Sequence, residues 1–148
     1  MLRNFDTPFG KYVIEVLDGC IKRAYFGKLD GFTGKLGSGD ELMLEMHRYC
    51  SSFPLEPVGT PFQLNVWKCL CDVTWGQIVT YKDIASGVGR ASAVRAVASA
   101  ISKNPIAYLI PCHRVIRSNG ETGGYRWNSS RKKMLLTYES IQSTFHSR

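Results

Sequence analysis

The chain has 148 residues, which is enough for one domain of ordinary size or two small ones. Hydrophobic residues make up 44% of the sequence, and no apolar run reaches the roughly 18 residues of a membrane-spanning helix. Residues 1–59 hold 7 basic and 8 acidic side chains, net −1, whereas residues 60–148 hold 12 and 4, net +8. This asymmetry suits a polyanion such as nucleic acid, and a solvated basic face is the simpler alternative.

The cysteines and the first residues argue against a secreted protein. The cysteine count is odd and includes no CxxC pair, which disfavours both a zinc ribbon and a disulfide framework. Cys20, His47 and Cys50 could form part of a metal site, but buried thiols and a surface histidine are the simpler interpretation. The first residues lack the basic, apolar and small-residue order of a signal peptide. We therefore expect an intracellular protein, cytoplasmic in a prokaryote or nuclear in a eukaryote.

The first 59 residues predict a small α+β domain. Lys11–Leu17 and Ile21–Phe26 have the composition of strands, and Asp18-Gly19 between them is a hairpin turn signal. The five glycines from Gly27 to Gly39 predict a flexible loop. Asp40 is expected to cap a helix. The apolar face of that helix is formed by Leu42, Met43, Met46, Cys50 and Phe53.

The segment from Pro54 to Pro61 is predicted to be a linker, because three prolines and a glycine interrupt regular structure. It coincides with the boundary between the near-neutral and the basic part of the chain. We therefore expect two domains, residues 1–59 and residues 60–148.

A helix is predicted to begin directly after the linker. Thr60 is its N-cap, Pro61 its first helical position, and Gln63 completes a capping box. Trp75-Gly76 is expected to end it. Its buried stripe is formed by Phe62, Val66, Cys69, Leu70 and Val73.

Two further helices form a predicted helix-turn-helix. Thr80 and Asp83 cap a short helix through Ala85, residues 87–89 break it, and a second helix is expected from about residue 91 to residue 103. The inward face of the second helix is formed by Val94, Val97, Ala98 and Ile101. The small and polar residues that could lie along a phosphate backbone are Ala93, Arg95, Ala96, Ser99, Ala100, Ser102 and Lys103. An ordinary alanine-rich helix is the simpler alternative.

The last part of the chain predicts a hairpin and a final helix. Residues 106–110 are an apolar extended run, and Ser118-Asn119-Gly120 is a type I′ turn signal between short strands, which predicts a hairpin or wing. Residues 123–127 are a loop, and Ser129 begins a helix with residues 131–133, all basic, in its first turns. The buried side of this helix is formed by Met134, Leu135, Tyr138 and Ile141.

Cys112 is the strongest candidate for chemistry, because His113 and Arg114 follow it directly. A thiol is nucleophilic only as thiolate, and an imidazole can take its proton directly or through a water. A carboxylate would then orient the imidazole and favour its charged form. Adjacent residues of a strand point to opposite faces, so a direct bond between Cys112 and His113 requires a turn at Pro111-Cys112 or a bridging water.

The hexapeptide Pro111-Cys112-His113-Arg114-Val115-Ile116 resembles the active-site signature of the O6-alkylguanine-DNA alkyltransferases. The resemblance covers about residues 60–140, whereas residues 1–59 match only through Pro8-Phe9-Gly10 and the order strand, hairpin, helix. Further matches in the family's order are Trp75-Gly76, Thr80-Tyr81, Arg95-Ala96-Val97, Asn104-Pro105, Leu109-Ile110 and Gly123-Gly124-Tyr125.

The resemblance implies a catalytic role for five residues. Cys112 would accept the alkyl group, His113 would act as general base through a water, and Glu139 would orient His113. Asn104 would hold the turn that carries Cys112. Tyr81 would donate a proton or a hydrogen bond to the departing guanine and rotate the phosphate.

The resemblance also implies how DNA and the base are held. Arg95 would enter the base stack and replace the flipped nucleotide, as base-flipping enzymes require. The carbonyls of Cys112 and Val115 would bind the guanine amino group, and Tyr125 would line the pocket. Arg126-Trp127 follow where other members have small residues, which predicts a narrower substrate pocket. The other expected DNA contacts are Tyr81, Ala93, Ala96, Ser99 and Ser118.

The resemblance implies an α+β protein with a small ribonuclease-H-like N-terminal domain and a mostly helical winged-helix C-terminal domain. It implies single-turnover transfer of a methyl or alkyl group to Cys112 from O6 of guanine, extending to O4 of thymine, in double-stranded DNA. We expect no cofactor, no metal, no membrane association and a monomer. Two alternatives stay open: a winged-helix protein that binds alkylated DNA or regulates transcription without reacting, which the intact Cys112 disfavours, and a cysteine hydrolase that uses Cys112 and His113.

Overall fold

The computed structural model describes residues 1–27 and 40–146, without the side chains of residues 40–42 and 142–146. Within these ranges the chain is a mixed α/β protein with a three-stranded antiparallel sheet, a two-stranded parallel pair and five α-helices. It divides into a first unit, residues 1–58 with 105–107, and a second unit, residues 59–104 with 108–148. In the described ranges no helix has the length and apolar character needed to cross a membrane. The predicted mixture of helix and sheet is confirmed, and the predicted loop after Gly27 lies outside the described residues.

The sheet of the first unit has the order β1-β2-β3, with antiparallel neighbours. Its strands are β1 (Leu2–Thr7), β2 (Gly10–Leu17) and β3 (Cys20–Phe26). Asp18 and Gly19 join β2 to β3 with φ angles of +53° and +74°, as a two-residue type I′ turn requires. Tyr12, Ile14 and Val16 alternate along β2 and are buried, so they form the core side of the sheet. The predicted hairpin is confirmed.

The helix α1 (Asp40–Cys50) packs against β1 in the first unit. Met43, Met46 and Cys50 are buried along one face at the predicted helical spacing. Phe53 lies beyond the end of α1 and is only partly buried. The apolar face predicted for this helix was therefore about one turn too long.

Two segments from later in the chain bond to β3. Residues 54–56 form two backbone hydrogen bonds of 2.9 Å with Ile21, and residues 105–107 form two of 3.0 and 2.7 Å with Ala24. The predicted linker is therefore part of the fold over residues 54–56, because backbone groups at the edge of a sheet need partners. The extended run predicted from residue 106 is wrong beyond residue 107, since Tyr108 has a φ of +69° and turns the chain.

Four helices belong to the second unit: α2 (Pro61–Cys71), α3 (Tyr81–Gly87), α4 (Val94–Ser102) and α5 (Ser129–His146). Both predicted capping boxes are present. Thr60 and Gln63 exchange hydrogen bonds of 3.0 and 3.1 Å, and Thr80 and Asp83 exchange bonds of 2.9 and 3.0 Å. The helix α2 ends four residues before Trp75, which was expected to end it.

The buried face of α2 includes a residue that the predicted stripe omitted. Val66 and Leu70 are buried as predicted, and Trp67 is buried beside them at 2% exposure. The indole Nε1 of Trp67 donates a 2.9 Å hydrogen bond to the carbonyl oxygen of Ala100 in α4. Ala100 is itself buried, so its predicted place on the outer face of that helix is wrong. The helix α4 also begins later than expected, at Val94.

The strands β4 (Val79–Thr80) and β5 (Val115–Ile116) pair in parallel. No strand follows β5 in the described residues before α5, so the predicted hairpin is wrong. Among residues 118–120 only Gly120 has a positive φ, +89°, whereas a type I′ turn needs two such residues. The turn is instead closed by a 3.0 Å hydrogen bond from the Gly120 N–H to the Arg117 carbonyl.

The helix α5 begins at Ser129, as predicted. Leu135 and Tyr138 are buried as expected, but Ile141 is 45% exposed, because the packed part of α5 ends before it. The basic first turns are not a solvated face, since Arg131 and Lys132 are 2% and 0% exposed.

Candidate active site

The second unit contains a cavity of about 560 Å³, a volume within the usual range of small-molecule sites. Its walls come from α3, α4, the turn at Cys112 and the loops before α5. The lining residues are Tyr81, Lys82, Val94, Arg95, Ala98, Ile101, Ser102, Cys112, Arg117, Ser118, Gly124, Tyr125 and Arg126.

Cys112 begins a single 3-10 turn, Cys112–Arg114, which leads into β5. The Cys112 N–H donates to the Ile110 carbonyl at 2.7 Å, and the Arg114 N–H donates to the Pro111 carbonyl at 3.0 Å. The Cys112 side chain is only 5% exposed and still lines the cavity. The sequence required either a turn here or a bridging water, and the turn is present.

Asn104 ties the end of α4 to this turn. Its side chain is fully buried, and Nδ2 donates to the Ile110 carbonyl at 2.9 Å and to the Cys112 sulfur at 3.2 Å. Asn104 was expected to hold the turn that carries Cys112, and the bond to the Ile110 carbonyl joins it to the start of that turn. The contact with sulfur was not expected, because nothing in the sequence indicates which atoms an asparagine reaches.

His113 and Glu139 form a buried pair, with 2.9 Å between Nε2 and Oε2. A carboxylate can only accept hydrogen bonds, so Nε2 carries the proton and Nδ1 has a free lone pair. Nδ1 is buried and forms no hydrogen bond within the described part of the chain. The imidazole also stacks on the ring of Tyr108, with centroids 5.7 Å apart and planes inclined by 6°. The site therefore holds an oriented imidazole with an available acceptor.

Arg114 is a partner of Glu139 that sequence reasoning missed. Its Nε and Nη2 donate to the two Glu139 carboxylate oxygens, both at 2.8 Å, and Nη1 donates to the Val73 carbonyl at 2.7 Å. Two-point pairing of arginine with a carboxylate fixes both groups. The sequence did contain one signal for this role. Arg114 directly follows His113, and a one-turn segment can bring both side chains to the same carboxylate, Glu139.

Burial dominates the ionisation of these groups. It raises the pKa of the Cys112 thiol to about 11, against the lowering effect of the hydrogen bond from Asn104. Burial also lowers the pKa of His113 by more than the bond to Glu139 raises it. Burial would raise the pKa of Glu139, but its hydrogen-bond donors outweigh that effect and hold the pKa below its usual value. At neutral pH the resting groups are a thiol, a neutral imidazole and a carboxylate.

Tyr81 lies at the first position of α3 and is partly buried on the cavity wall. Burial and the nearby Cys112 raise the pKa of its hydroxyl, so it is a hydrogen-bond donor at neutral pH. Gly123 lies directly against it, because a Cβ at Gly123 would come within 3.0 Å of the Tyr81 hydroxyl oxygen. Gly123 also has a φ of +75°, which L side chains rarely adopt, so both the backbone conformation and the lack of space disfavour a side chain there.

The expected DNA contacts other than Tyr81 lie on α4, at its N-cap and at the cavity. Arg95 and Ser118 are exposed and line the cavity, and Ala96 and Ser99 are exposed on α4. Ala93 is the N-cap of α4 and is partly buried. Their contacts with DNA stay predictions.

The loop before α5 holds the other expected pocket residues. Tyr125 and Arg126 line the cavity, whereas Trp127 does not; its ring lies 5.4 Å from the Tyr125 ring and 5.4 Å from the Arg126 guanidinium carbon. Arg126 also donates a 3.2 Å hydrogen bond to the Asn104 carbonyl. Val115 is fully buried in β5 and does not line the cavity, so its expected contact with the base stays a prediction.

Lys132 is a second residue that sequence reasoning missed. It is fully buried, and its Nζ donates to the Gly124 carbonyl at 3.2 Å and lies 5.8 Å from the centroid of the Tyr81 ring. Helical periodicity gave no signal for it, because a lysine in a basic run is normally solvated.

Elsewhere, no three His, Cys, Asp or Glu side chains among the described residues are grouped so that they could hold a metal ion.

Comparison with known proteins shows what the chain is similar to. Residues 61–141 match the family described as 6-O-methylguanine DNA methyltransferase, DNA binding domain. The methylated-DNA–protein-cysteine methyltransferase of Methanosarcina barkeri is 44% identical over 144 residues, covering 93% of this chain and 84% of the relative. The regulatory protein ada of Salmonella typhimurium is 48% identical over 89 residues, covering 60% of this chain, and the chain spans only 25% of that relative.

A solved structure agrees with these matches. The crystal structure of the Mycobacterium tuberculosis OGT in complex with DNA has a TM-score of 0.77 and 29% identity, over 95% of this chain and 93% of that one. The family match covers more than half of the chain and includes Cys112, His113 and Glu139. The resemblance inferred from the hexapeptide is confirmed, and the chain belongs to the 6-O-methylguanine DNA methyltransferase family.

Proposed function

We propose that this protein repairs alkylated DNA by moving an alkyl group from O6 of guanine onto the sulfur of Cys112, once per molecule. One observation carries the proposal. The Cys112 sulfur lines a cavity of about 560 Å³, accepts a hydrogen bond from Asn104 and is followed in a tight turn by the buried His113–Glu139 pair. The names of the relatives, methylated-DNA–protein-cysteine methyltransferases, support the same reaction.

The target base must leave the duplex before it reaches the sulfur. Extrusion costs a few kcal/mol, and a side chain that enters the gap offsets part of that cost. Arg95 is exposed at the rim of the cavity on α4, where it is suited to this role. The exposed Ala96 and Ser99 leave that face of the helix free of large side chains, so a phosphate backbone can approach closely.

The thiol needs a base, because burial raises the pKa of Cys112 to about 11 and leaves almost no thiolate at neutral pH. His113 is neutral at that pH, since burial lowers its pKa. Its Nδ1 lone pair is available, because Nε2 donates to Glu139. We infer that a water carries the proton from Cys112 to Nδ1, and that Glu139 stabilises the imidazolium that results.

The transfer itself is one displacement. The sulfur forms a bond to the alkyl carbon, the carbon–O6 bond breaks, and its electron pair stays on the guanine. Tyr81 donates a hydrogen bond to the departing guanine, and the carbonyls of Cys112 and Val115 hold its amino group. Tyr125 lines the pocket. The product is a thioether that no group in this site can cleave, so each molecule reacts once, without cofactor or metal.

The finer architecture belongs to the same proposal. We propose that residues 1–59 form a ribonuclease-H-like domain, supported by the antiparallel sheet and α1. Residues 60–148 would form the winged-helix domain for DNA binding and transfer, supported by the mutual packing of α2, α3 and α4. The partner would be double-stranded DNA bound by a monomer, in the cytoplasm of a prokaryote or the nucleus of a eukaryote.

Incubation with O6-methylguanine DNA, followed by intact-mass measurement, tests the proposal. We expect a permanent gain of one methyl group in the parent, located on Cys112 by peptide mass. Cys112→Ser should bind the same DNA and gain nothing, because a hydroxyl ionises far less readily than a thiol. The four other cysteines can each be replaced by serine as matched controls, and transfer should persist in all four.

Each alternative predicts a different result. Binding of methylated DNA without any mass gain would support a non-catalytic binding or regulatory protein. Turnover of a model ester by Cys112 and His113 would support a cysteine hydrolase. Methyl transfer that survives in Cys112→Ser would remove Cys112 as the acceptor.

A further inference from the structure

Lys132 is the buried charge that the proposed reaction leaves unused. Its side chain is 0% exposed in the first turns of α5, and within the described residues the hydrogen bond of its Nζ is the one to the Gly124 carbonyl. None of the ion pairs among the described residues includes it. Burial of an ammonium group without an anionic partner is costly. We therefore expect an anion beside Lys132 at some stage of the reaction.

The groups that face Lys132 identify the missing anion. The sulfur of Cys112, when ionised, attracts it, and the guanidinium of Arg117 repels it. Its charge disfavours protonation of His113, and its Nζ lies against the ring of Tyr81. Arg126 adds a second positive charge that acts on Cys112. Gly124 and Tyr81, which Lys132 contacts, line the same cavity as Cys112. Among the described residues, the fixed charge that acts on Lys132 is the positive Arg117, so the thiolate is the anion beside it that the reaction creates.

We propose that Lys132 is the counter-charge of the Cys112 thiolate, a positioning residue that favours ionised sulfur until the alkyl group has moved. This rests on the proposed function. The proton leaves the sulfur through a water to His113, and the ammonium of Lys132 balances the negative charge left behind. When the sulfur–carbon bond forms, that charge passes to guanine with the electron pair of the broken carbon–oxygen bond. Lys132 neither gives nor takes a proton in this sequence.

The ionisation of Lys132 agrees with this role. Burial lowers its pKa to about 8, so most molecules carry the ammonium at neutral pH. A negative sulfur raises the pKa of Lys132, and by the same interaction the ammonium lowers the pKa of Cys112. The two ionisations are coupled, so a negative charge at position 112 must appear in the titration of Lys132.

The pH dependence of Cys112 alkylation by iodoacetamide tests the proposal without DNA, so the outcome stays readable even if methyl transfer is absent. Lys132→Met removes the charge at similar volume, and Lys132→Arg keeps it. Lys133→Met, at the exposed next position of α5, is the matched control for loss of one positive charge. The rate is followed by peptide mass at Cys112, which separates it from the other cysteines.

In Lys132→Met we expect alkylation about 10- to 100-fold slower at neutral pH, because loss of a nearby opposite charge raises a pKa by about one to two units. The rates of Lys132→Met and the parent should converge as the pH rises above about 8, because Lys132 of the parent then loses its own charge. Lys132→Arg and Lys133→Met should follow the parent profile. Equal slowing of Lys132→Met and Lys132→Arg at every pH would mean that Lys132 only tethers Gly124, and would overturn the proposal, as would a parent-like profile in Lys132→Met.

A reciprocal titration covers the case in which Lys132→Met does not fold. Carbon-13 NMR of labelled lysine gives the pKa of Lys132 in the parent, whose sulfur is an uncharged thiol while Lys132 titrates, and in Cys112→Asp, which places a carboxylate at the position of the sulfur. We expect a higher pKa for Lys132 in Cys112→Asp. The same pKa in both proteins would show that a negative charge at position 112 does not act on the ammonium, and would refute the proposal.

Discussion

Glu139 accepts three hydrogen bonds at once, and this arrangement decides how His113 can act. Two come from the guanidinium of Arg114 and one from His113 Nε2. Because Arg114 already balances its charge, Glu139 stays ionised without making His113 cationic, and the imidazole rests as a neutral base. The same carboxylate is then in place when a proton reaches the imidazole. The His113–Glu139 pair therefore changes its net charge only during the reaction, when His113 takes up the proton.

Replacement of Glu139 by Gln tests this balance. The amide keeps one acceptor but leaves the buried Arg114 without its counter-charge, so we expect the free energy of unfolding to fall by about 3–5 kcal/mol. His113 also loses the interaction that raises its pKa, becomes a weaker base, and alkyl transfer slows at neutral pH. Urea unfolding and single-turnover transfer measure the two effects, and DNA affinity should hardly change.

The pH dependence of stability provides the control for Glu139→Gln. The pKa of Glu139 is held below its usual value in the folded protein. Its contribution to the free energy of unfolding is therefore present at neutral pH and lost as the pH falls through the folded pKa. The stability difference between parent and Glu139→Gln should shrink in acid. A difference that is constant with pH, with an unchanged transfer rate, would contradict both roles.

At the scale of helices and strands, the sequence patterns predicted features that are local in the chain. They missed the pairings that depend on residues far away in the sequence. The caps at Thr60 and Thr80 were predicted because each is complete within four residues. The parallel pairing of β4 with β5 was missed, because the paired residues of these two-residue strands lie 36 positions apart and neither strand has a periodicity of its own. Pairing at that distance is decided by tertiary packing, which local composition does not encode.

The candidate site divides in the same way. Cys112 and His113 came from a specific motif and Glu139 from the family resemblance, whereas the roles of Arg114 and Lys132 were missed because they depend on what surrounds these side chains. A helical pattern assigns charged residues to the solvent, so no pattern predicts a fully buried lysine. Trp67 was missed for the related reason that its single polar atom finds a partner in α4.

The helix α4 gives a prediction about base extrusion. Arg95 is exposed at the rim of the cavity, so Arg95→Ala should bind DNA only slightly less well and should slow repair of O6-methylguanine in duplex DNA. Reaction with the free alkylated base should change little, because only the duplex requires extrusion. Single-turnover rates on both substrates measure this, with Arg48→Ala, at an exposed arginine of α1, as the matched control. Equal losses on duplex and free base would exclude a flipping role for Arg95.

The loop before α5 gives a prediction about substrate size. Trp127 does not line the cavity but packs against Tyr125 and Arg126, which do. We expect it to hold both side chains inward, so that free O6-benzylguanine inactivates the parent slowly and Trp127→Gly faster. The comparison uses residual methyl transfer after incubation, and Trp127→Phe retains an aromatic ring as control. Rapid inactivation of the parent, or a glycine variant that is no more sensitive, would show that Trp127 does not restrict the pocket.

For the whole molecule, the uneven charge predicts where DNA binds. Residues 60–148 carry 12 basic and 4 acidic side chains, and residues 1–59 carry 7 and 8. Phosphate contacts release counterions, so affinity falls linearly with salt on logarithmic axes, by a slope of about −0.9 for each phosphate neutralised in duplex DNA. Most of this slope should come from the basic part, and affinity should depend little on sequence because phosphates carry no base identity.

Two exposed lysines allow this to be measured with matched changes. Lys103 follows α4 in the second unit, and Lys11 lies on β2 in the first. Lys103→Ala and Lys11→Ala each remove one positive charge from the same protein. If only the net charge mattered, both variants would change the salt slope by the same amount. If Lys103 neutralises a phosphate, its loss should make the logarithmic salt slope less steep by about 1, while Lys11→Ala keeps the parent slope. Fluorescence anisotropy on unmodified duplex DNA over a salt series gives the three slopes. A change in Lys11→Ala as large as in Lys103→Ala would mean that the DNA is held by the charge of the whole protein and not by a surface that includes the end of α4.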